Sequence, residues 1–187
     1  MDSNSNSLKS CVFFDRDGVV NQSPGPGYVL SWEAFQFSEG FFEAFEFVKA
    51  SGALAVLITS QKSVGKGMLT LSGLKEIHQK MQAEIKDKTG FQFDGIYAFT
   101  GLPDCRHQPK PDPEMVLTAS RELGIDLEKS CMIGDADRDI LMGKTAGVGK
   151  TVRILGEKPV GEGAEADFSL DSMTDLTGLL KNSVLEK

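Results

Sequence analysis

Short apolar runs alternate with stretches of helical period along most of the chain. The apolar runs predict strands over Cys11–Phe14, Ala53–Thr59, Gly95–Thr100, Ser130–Gly134, Thr151–Leu155 and Asp167–Leu170. Between the first two, Phe41, Phe42, Phe45 and Val48 fall at helical spacing, and Gly52 closes the segment as a C-terminal cap. Leu74, Ile77, Met81 and Ile85 mark a second amphipathic helix that stops before Gly90. A third begins with Asp112 as N-cap and Pro113 in its first turn, carries Met115, Val116, Ala119 and Leu123, and stops at Gly124. A fourth runs from about Asp137 to Gly147, and a last one around Met173–Leu185 is amphipathic through Leu176, Leu179, Leu180 and Val184. Strands alternating with helices mean βαβ units. The expected fold is α/β, a three-layer Rossmann-like parallel sheet with helices on both faces. The phenylalanines between 35 and 47 read as core, residues 1–9 as a disordered polar tail, and 10–187 as one domain.

Composition narrows the class of protein. A chain of 187 residues can bury roughly 70% of its unfolded surface. Its net charge of −7 argues against a nucleic-acid or membrane partner, because phosphate backbones and anionic lipids reward clustered Lys and Arg. No apolar stretch approaches the roughly 20 residues of a membrane helix, and the polar start lacks the apolar segment of a signal peptide. Three scattered cysteines make no disulfide framework, and Cys11 and Cys131 read as buried thiols. A cytoplasmic protein is expected. His78 and His107 read as surface residues.

Candidate chemistry gathers at strand ends. The first strand runs into Asp15-Arg16-Asp17-Gly18, and alternation puts Asp15 and Asp17 on one side of an extended chain. Two acids so close repel, so the pair needs a cation or a proton. The second strand ends in Thr59-Ser60-Gln61, where a hydroxyl and the backbone N–H groups behind it suit a phosphate oxygen. Lys110 stands between Pro109 and Pro111, which restrict its backbone and pre-position its ammonium. The fourth strand enters Gly134-Asp135-Ala136-Asp137-Arg138-Asp139, with Asp137 or Asp139 available to cap the helix that follows. In a parallel sheet these ends share one edge, where open α/β folds bind their ligands. Phosphate-ester hydrolysis suits such a set. A carboxylate nucleophile divides the reaction through an aspartyl-phosphate, a second carboxyl moves the proton, and Mg²⁺ prefers carboxylate and phosphate oxygens. A metal and one lysine can reverse the local sign of an acidic chain, so a small phosphorylated metabolite is admitted as partner.

The order DxDG, strand-end Thr/Ser, Lys, then GDxxxD resembles the four motifs of the haloacid-dehalogenase-like phosphohydrolases, over roughly residues 10–180. More narrowly, residues 14–21, Gly27-Tyr28-Val29, and Thr59-Ser60-Gln61 with Gly65-Lys66-Gly67 look like the branch of histidinol-phosphatases and heptose-bisphosphate phosphatases. The resemblance implies Asp15 as nucleophile and Mg²⁺ ligand. It implies Asp17 as acid/base with its carbonyl on the metal, and Asp135 as metal ligand with Asp139 orienting that shell. Thr59 and Ser60, with Gln61 and Lys66 nearby, would take phosphate or substrate, and Lys110 would clamp charge. The intervals from Asp15 to Thr59 and from Thr59 to Lys110 are filled by core elements, so a capless enzyme is expected, its cleft shaped by loops 22–30 and 62–68.

Some positions depart from that branch. Its loop before the lysine typically carries four Cys/His zinc ligands, whereas residues 100–108 supply only Cys105 and His107, so no zinc is expected. Ser60 replaces the usual Asn, Pro109 an arginine that often meets the far end of the substrate, and Ala136 a lysine; Arg106 or Lys66 are the candidates to compensate. The tail of a nucleotide-binding loop suggested by Gly147-Val148-Gly149-Lys150-Thr151 is discounted, because the order there is helix then strand. Two other functions stand beside a metabolite phosphatase. A polynucleotide 3′-phosphatase shares the chemistry but lacks support from charge. A phospho-accepting receiver module would need an acid at the end of the third strand, which here reads Ala98-Phe99-Thr100.

Overall fold

A computed structural model of the chain describes residues 8–156 and 159–184. Six strands form one parallel sheet in the order β3-β2-β1-β4-β5-β6. They are β1 (Cys11–Phe14), β2 (Leu54–Ser60), β3 (Gly95–Phe99), β4 (Cys131–Gly134), β5 (Lys150–Ile154) and β6 (Phe168–Leu170). The helices are α1 (Phe41–Ala50), α2 (Lys62–Gly65), α3 (Leu71–Thr89), α4 (Glu114–Leu123), α5 (Asp137–Ala146) and α6 (Leu176–Leu179). The expected three-layer α/β architecture is thus observed.

Period-two alternation on β1 divides the core. Val12 and Phe14 face a layer with Phe41, Phe45, Met81, Ile85, Leu176 and Leu180, contributed by α1, α3 and the C-terminal segment. Cys11 and Phe13 face the opposite layer with Met115, Val116, Ala119 and Met142 from α4 and α5. A strand covered on both sides must be apolar at every position, which is why β1 reads as an unbroken apolar run. Phe14 meets Phe41 edge-on at 6.1 Å and Phe93 at 5.8 Å; of the phenylalanines expected in the core, Phe35, Phe41 and Phe45 are buried, while Phe37, Phe42 and Phe47 are half-buried and pack against them.

Local details differ from the sequence reading in traceable ways. A short helix, α2, occupies part of the expected 62–68 loop. Asp112 does accept the Glu114 N–H at 2.9 Å, but the helix begins two residues later than Asp112, at Glu114. At α5 neither Asp137 nor Asp139 is the N-cap: Ala136 holds that position and Asp139 Oδ2 reaches back to its N–H at 3.1 Å. The last amphipathic segment is a succession of a 3₁₀ turn over Met173–Asp175, α6, and a π turn over Leu180–Val184. Thr177 and Gly178 are weak helix formers, while burial of Leu176 and Leu180 holds the segment on the sheet. Its expected end at Leu185 lies outside the described residues, as does most of the expected tail; ordered pairing begins at Lys9, which bridges to Ile125.

Between β1 and α1, and again between β3 and α4, the chain forms loops with no inserted domain, so the cleft is open. No described helix is long and apolar enough to cross a membrane. The connection from β1 leads to β2 on one side, while β4 pairs with β1 on the other. The strand order therefore reverses between β1 and β4, and the crevice outside their carboxyl ends is where a ligand belongs.

Candidate active site

Asp15 is the first residue beyond β1 and is pinned by its N–H to the Ile133 carbonyl of β4 at 3.0 Å. Its carboxylate is buried, and so are Asp135 and Asp139, whose oxygens reach within 4.8 Å of one another and of Asp15. Two glycines make this packing possible. A Cβ on Gly18, whose φ is +96°, would meet Asp135 Oδ2 at 2.5 Å, and a Cβ on Gly134 would meet Asp139 Cβ at 2.1 Å. Lys110 reaches in from its loop, with Nζ at 2.6 Å from Asp15 Oδ1 and 2.5 Å from Asp139 Oδ1. One ammonium among three buried acids leaves a deficit of positive charge. Burial, then the Asp139 charge, pushes the Asp15 carboxyl up to about 7 despite the opposing pull of Lys110. Burial alone would lower the pKa of Lys110, but Asp139 and Asp15 outweigh it and hold the lysine above its usual range.

Asp17 sits in a different environment. Burial would raise its pKa, yet the Arg16 guanidinium and the amides of Asn21 and Gln61 bring it below the usual carboxylate range. Arg16 Nε and Nη2 donate to it at 3.2 and 3.0 Å, Asn21 Nδ2 at 3.0 Å and Gln61 Nε2 at 3.0 Å. Arg16 is itself fully buried, lies 6.0 Å from the Phe35 ring centre, and has His78 Nε2 3.5 Å from Nη1. His78 is therefore no free surface residue, as the sequence suggested. Burial and the adjacent guanidinium press its pKa down to about 3, so it is neutral. His107 is corrected likewise: it is buried, its ring meets Tyr97 edge-on at 5.8 Å, and Arg106 Nε donates to its Nε2 at 3.2 Å.

The end of β2 completes the floor. Thr59 is buried and its Oγ1 accepts from Gln61 Nε2 at 2.7 Å. Both amide protons of Gln61, expected beside the phosphate, are thus engaged inside the protein, and its side chain is a strut between Thr59 and Asp17. Ser60 Oγ accepts the Lys110 N–H at 3.4 Å and lines the cleft. Lys66 stays outside the lining and donates to Tyr28 Oη at 2.9 Å, tying the 22–30 loop to the segment after α2. Arg106, the other candidate for a compensating cation, pairs with Glu122 at 2.7 Å on the flank of α4. Sequence reasoning missed Arg16 and Asn21. An arginine between two acids in a buried run was the available signal for the first.

A family model for haloacid dehalogenase-like hydrolases matches residues 27–147. The chain belongs to that family. It is similar to D-glycero-beta-D-manno-heptose-1,7-bisphosphate 7-phosphatase of Pasteurella multocida, with 36% identity over 93% of this chain and 98% of the relative. The protein of the same name from Vibrio cholerae is 38% identical over 90% of this chain and 94% of its own length. Among solved structures, D,D-heptose 1,7-bisphosphate phosphatase from B. bronchiseptica, complexed with magnesium and phosphate, superposes with a TM-score of 0.78. It is 24% identical over 91% of this chain and 97% of its own, a likeness of fold. This haloacid dehalogenase-like protein is an enzyme, a phosphatase acting on phosphomonoesters.

Hydrolases of this family generally use Mg²⁺. The donors here suit it: all are hard carboxylate oxygens. Asp15 Oδ2 is buried without a hydrogen-bond donor among the described residues. A divalent ion would both serve that oxygen and supply the missing positive charge. Both oxygens of Asp139 are held, one by Lys110 and the other by the Ala136 N–H.

Proposed function

We propose that this phosphatase cleaves a phosphorylated sugar of the heptose-phosphate class through an aspartyl-phosphate on Asp15. The single observation that carries the assignment is the Asp15 carboxylate: one oxygen paired with Lys110 and the other buried without a donor, at the switch point of the sheet. The nucleophile is positioned but not quenched. Asp15 attacks phosphorus, and the leaving sugar oxygen takes its proton from Asp17. Asp17 then withdraws a proton from the water that attacks the acyl-phosphate, which restores the Asp15 carboxylate and releases phosphate. The resting grip of Arg16, Asn21 and Gln61 keeps Asp17 ionised, which suits the base half of the cycle. For the acid half the carboxyl must rotate out of that grip toward the substrate.

Lys110 neutralises charge on the transferring phosphoryl group, and Thr59 and Ser60 offer hydroxyls at the same edge. Asp139 holds the lysine in line. Asp15 and Asp135, with the Asp17 carbonyl, would hold Mg²⁺, which when bound offsets the acids and polarises the phosphate. The name and near-complete coverage of the curated relatives support the sugar assignment.

The test is an acid-quenched reaction with labelled heptose 1,7-bisphosphate. A phosphoryl adduct on the peptide containing Asp15 is expected, absent from Asp15→Asn. Label on another residue, or full turnover by the variant, would overturn the assignment.

A further inference from the structure

The buried face of α3 is apolar at Leu74, Ile77, Met81 and Ile85, and His78 falls on the same stripe, four positions after Leu74 and three before Met81. It stands against Arg16 of the loop after β1, whose Nη1 lies 3.5 Å from His78 Nε2. That guanidinium is fully buried, and a buried charge is tolerated only when its protons find acceptors. Nε and Nη2 donate to Asp17 at 3.2 and 3.0 Å, and the Phe35 ring centre is 6.0 Å away. Nη1 has no acceptor but His78 among the described residues. Burial and the guanidinium keep the imidazole neutral. Because a guanidinium only donates, the ring must offer it a lone pair through Nε2 and carry its own proton on Nδ1. The ring also borders a polar groove with Lys75, Gln79, Gln82 and Gln92, so that proton is not shut away from an acceptor.

We infer that His78 is a positioning residue: it anchors the Arg16 guanidinium, and Arg16 in turn holds the Asp17 carboxylate in the orientation that its proton transfers need. The inference rests on the acid/base part proposed for Asp17. When Asp17 turns toward the leaving oxygen, a guanidinium held by that carboxylate alone would follow it or swing free. Anchored at Nη1, the guanidinium stays behind and receives the carboxylate again for the base half of the cycle. No side-chain hydrogen bond of His78 or Arg16 reaches Lys110, Thr59 or Ser60 among the described residues, so loss of His78 should fall on kcat and spare KM.

The experiment reads the tautomer first, by nitrogen NMR of the imidazole rings in the wild-type protein. His78 should carry its proton on Nδ1, opposite to the Nε2 form that free neutral histidine favours. The chain has two histidines, so the spectrum of His78→Gln assigns the signals. Kinetics with D-glycero-beta-D-manno-heptose 1,7-bisphosphate and Mg²⁺ follow. His78→Phe should lower kcat by about tenfold with KM within about twofold, while His78→Gln, whose amide oxygen can accept from Nη1, should keep kcat within about threefold. In an Arg16→Lys background the same His78→Phe change should cost less than about twofold, because the group that His78 anchors is gone. A proton on Nε2, a kcat of His78→Phe within about twofold of wild type, or a loss undiminished in the Arg16→Lys background overturns the inference. The tautomer is read on wild type, so it decides the contact even where His78→Phe does not fold. Wild type that leaves the bisphosphate intact sinks the phosphatase reading instead, and the tautomer still judges the contact with Arg16.

Discussion

Asp15→Asn should inactivate the enzyme and at the same time stabilise the metal-free protein. The carboxyl is buried, and its pKa is raised from 3.8 to about 7, chiefly by burial and then by Asp139. A raised carboxyl pKa means the folded state holds the proton more tightly than the unfolded chain does. Below about pH 3.8 both states are protonated and the group is neutral toward stability. Between that pH and about 7 the unfolded chain ionises first, so stability falls as pH rises, and above about 7 the full penalty stands. A shift of about three units at 1.36 kcal/mol each sets a ceiling of about 4 kcal/mol. Relaxation around the buried group reduces it, and roughly 1–2 kcal/mol is the expected gain. For a chain of this size that is a rise in Tm of about 2–8 °C.

The assay is thermal melting of wild type and variant across pH 4.5 to 8.5 in chelator, then with Mg²⁺. In chelator the two curves should converge at acid pH and separate in favour of the variant above pH 7. Added Mg²⁺ should reverse the order, because a ligand at 100 times its Kd stabilises the native state by about 2.7 kcal/mol and the variant has lost a ligating oxygen. Turnover of the variant should drop by at least about 10³, since an amide is no nucleophile. A variant less stable than wild type by more than about 1 kcal/mol at pH 8 in chelator would refute the reasoning. It would mean that the ion pair with Lys110 already satisfies Asp15 and leaves no deficit for a metal to fill.

Other perturbations address neighbouring parts of the site. Gly18→Ala forces a side chain into positive φ at about 1–2 kcal/mol and drives its Cβ into Asp135; calorimetry should show weakened Mg²⁺ binding, and wild-type affinity would dismiss the packing argument. Arg16→Lys removes the forked donor that lowers the Asp17 pKa, so the acidic limb of kcat/KM should move up by about one pH unit, and an unmoved limb would deny Arg16 that influence. Elemental analysis of purified protein should find no stoichiometric zinc, because the 100–109 loop is held by protein contacts: Arg106 and Tyr97 on Glu122 at 2.7 and 2.8 Å, and Cys105 Sγ accepting the Thr100 N–H at 3.4 Å. One zinc per chain would contradict this.

What could be read from the sequence was whatever a regular period dictates. β1 had to be a central strand because four consecutive apolar residues suit only a position covered on both faces. Once β1 was central and parallel, Asp15, Thr59 and Asp135 had to share an edge, since each follows or ends a parallel strand. The direction of a long side chain in irregular backbone follows no such period. Arg16, to which the sequence reading gave no role, is fully buried, and its guanidinium finds Asp17, His78 and the face of Phe35. Gln61 appeared beside the hydroxyls as another donor to substrate and instead turned inward, where it donates to the half-buried Asp17 and to Thr59. The two misread histidines have the same cause: His78 meets Arg16 and the His107 ring meets Tyr97, partners fixed only by tertiary structure. The acids to which the chemistry is assigned here as a proposal were therefore visible, while the arginine and amides around Asp17 were hidden.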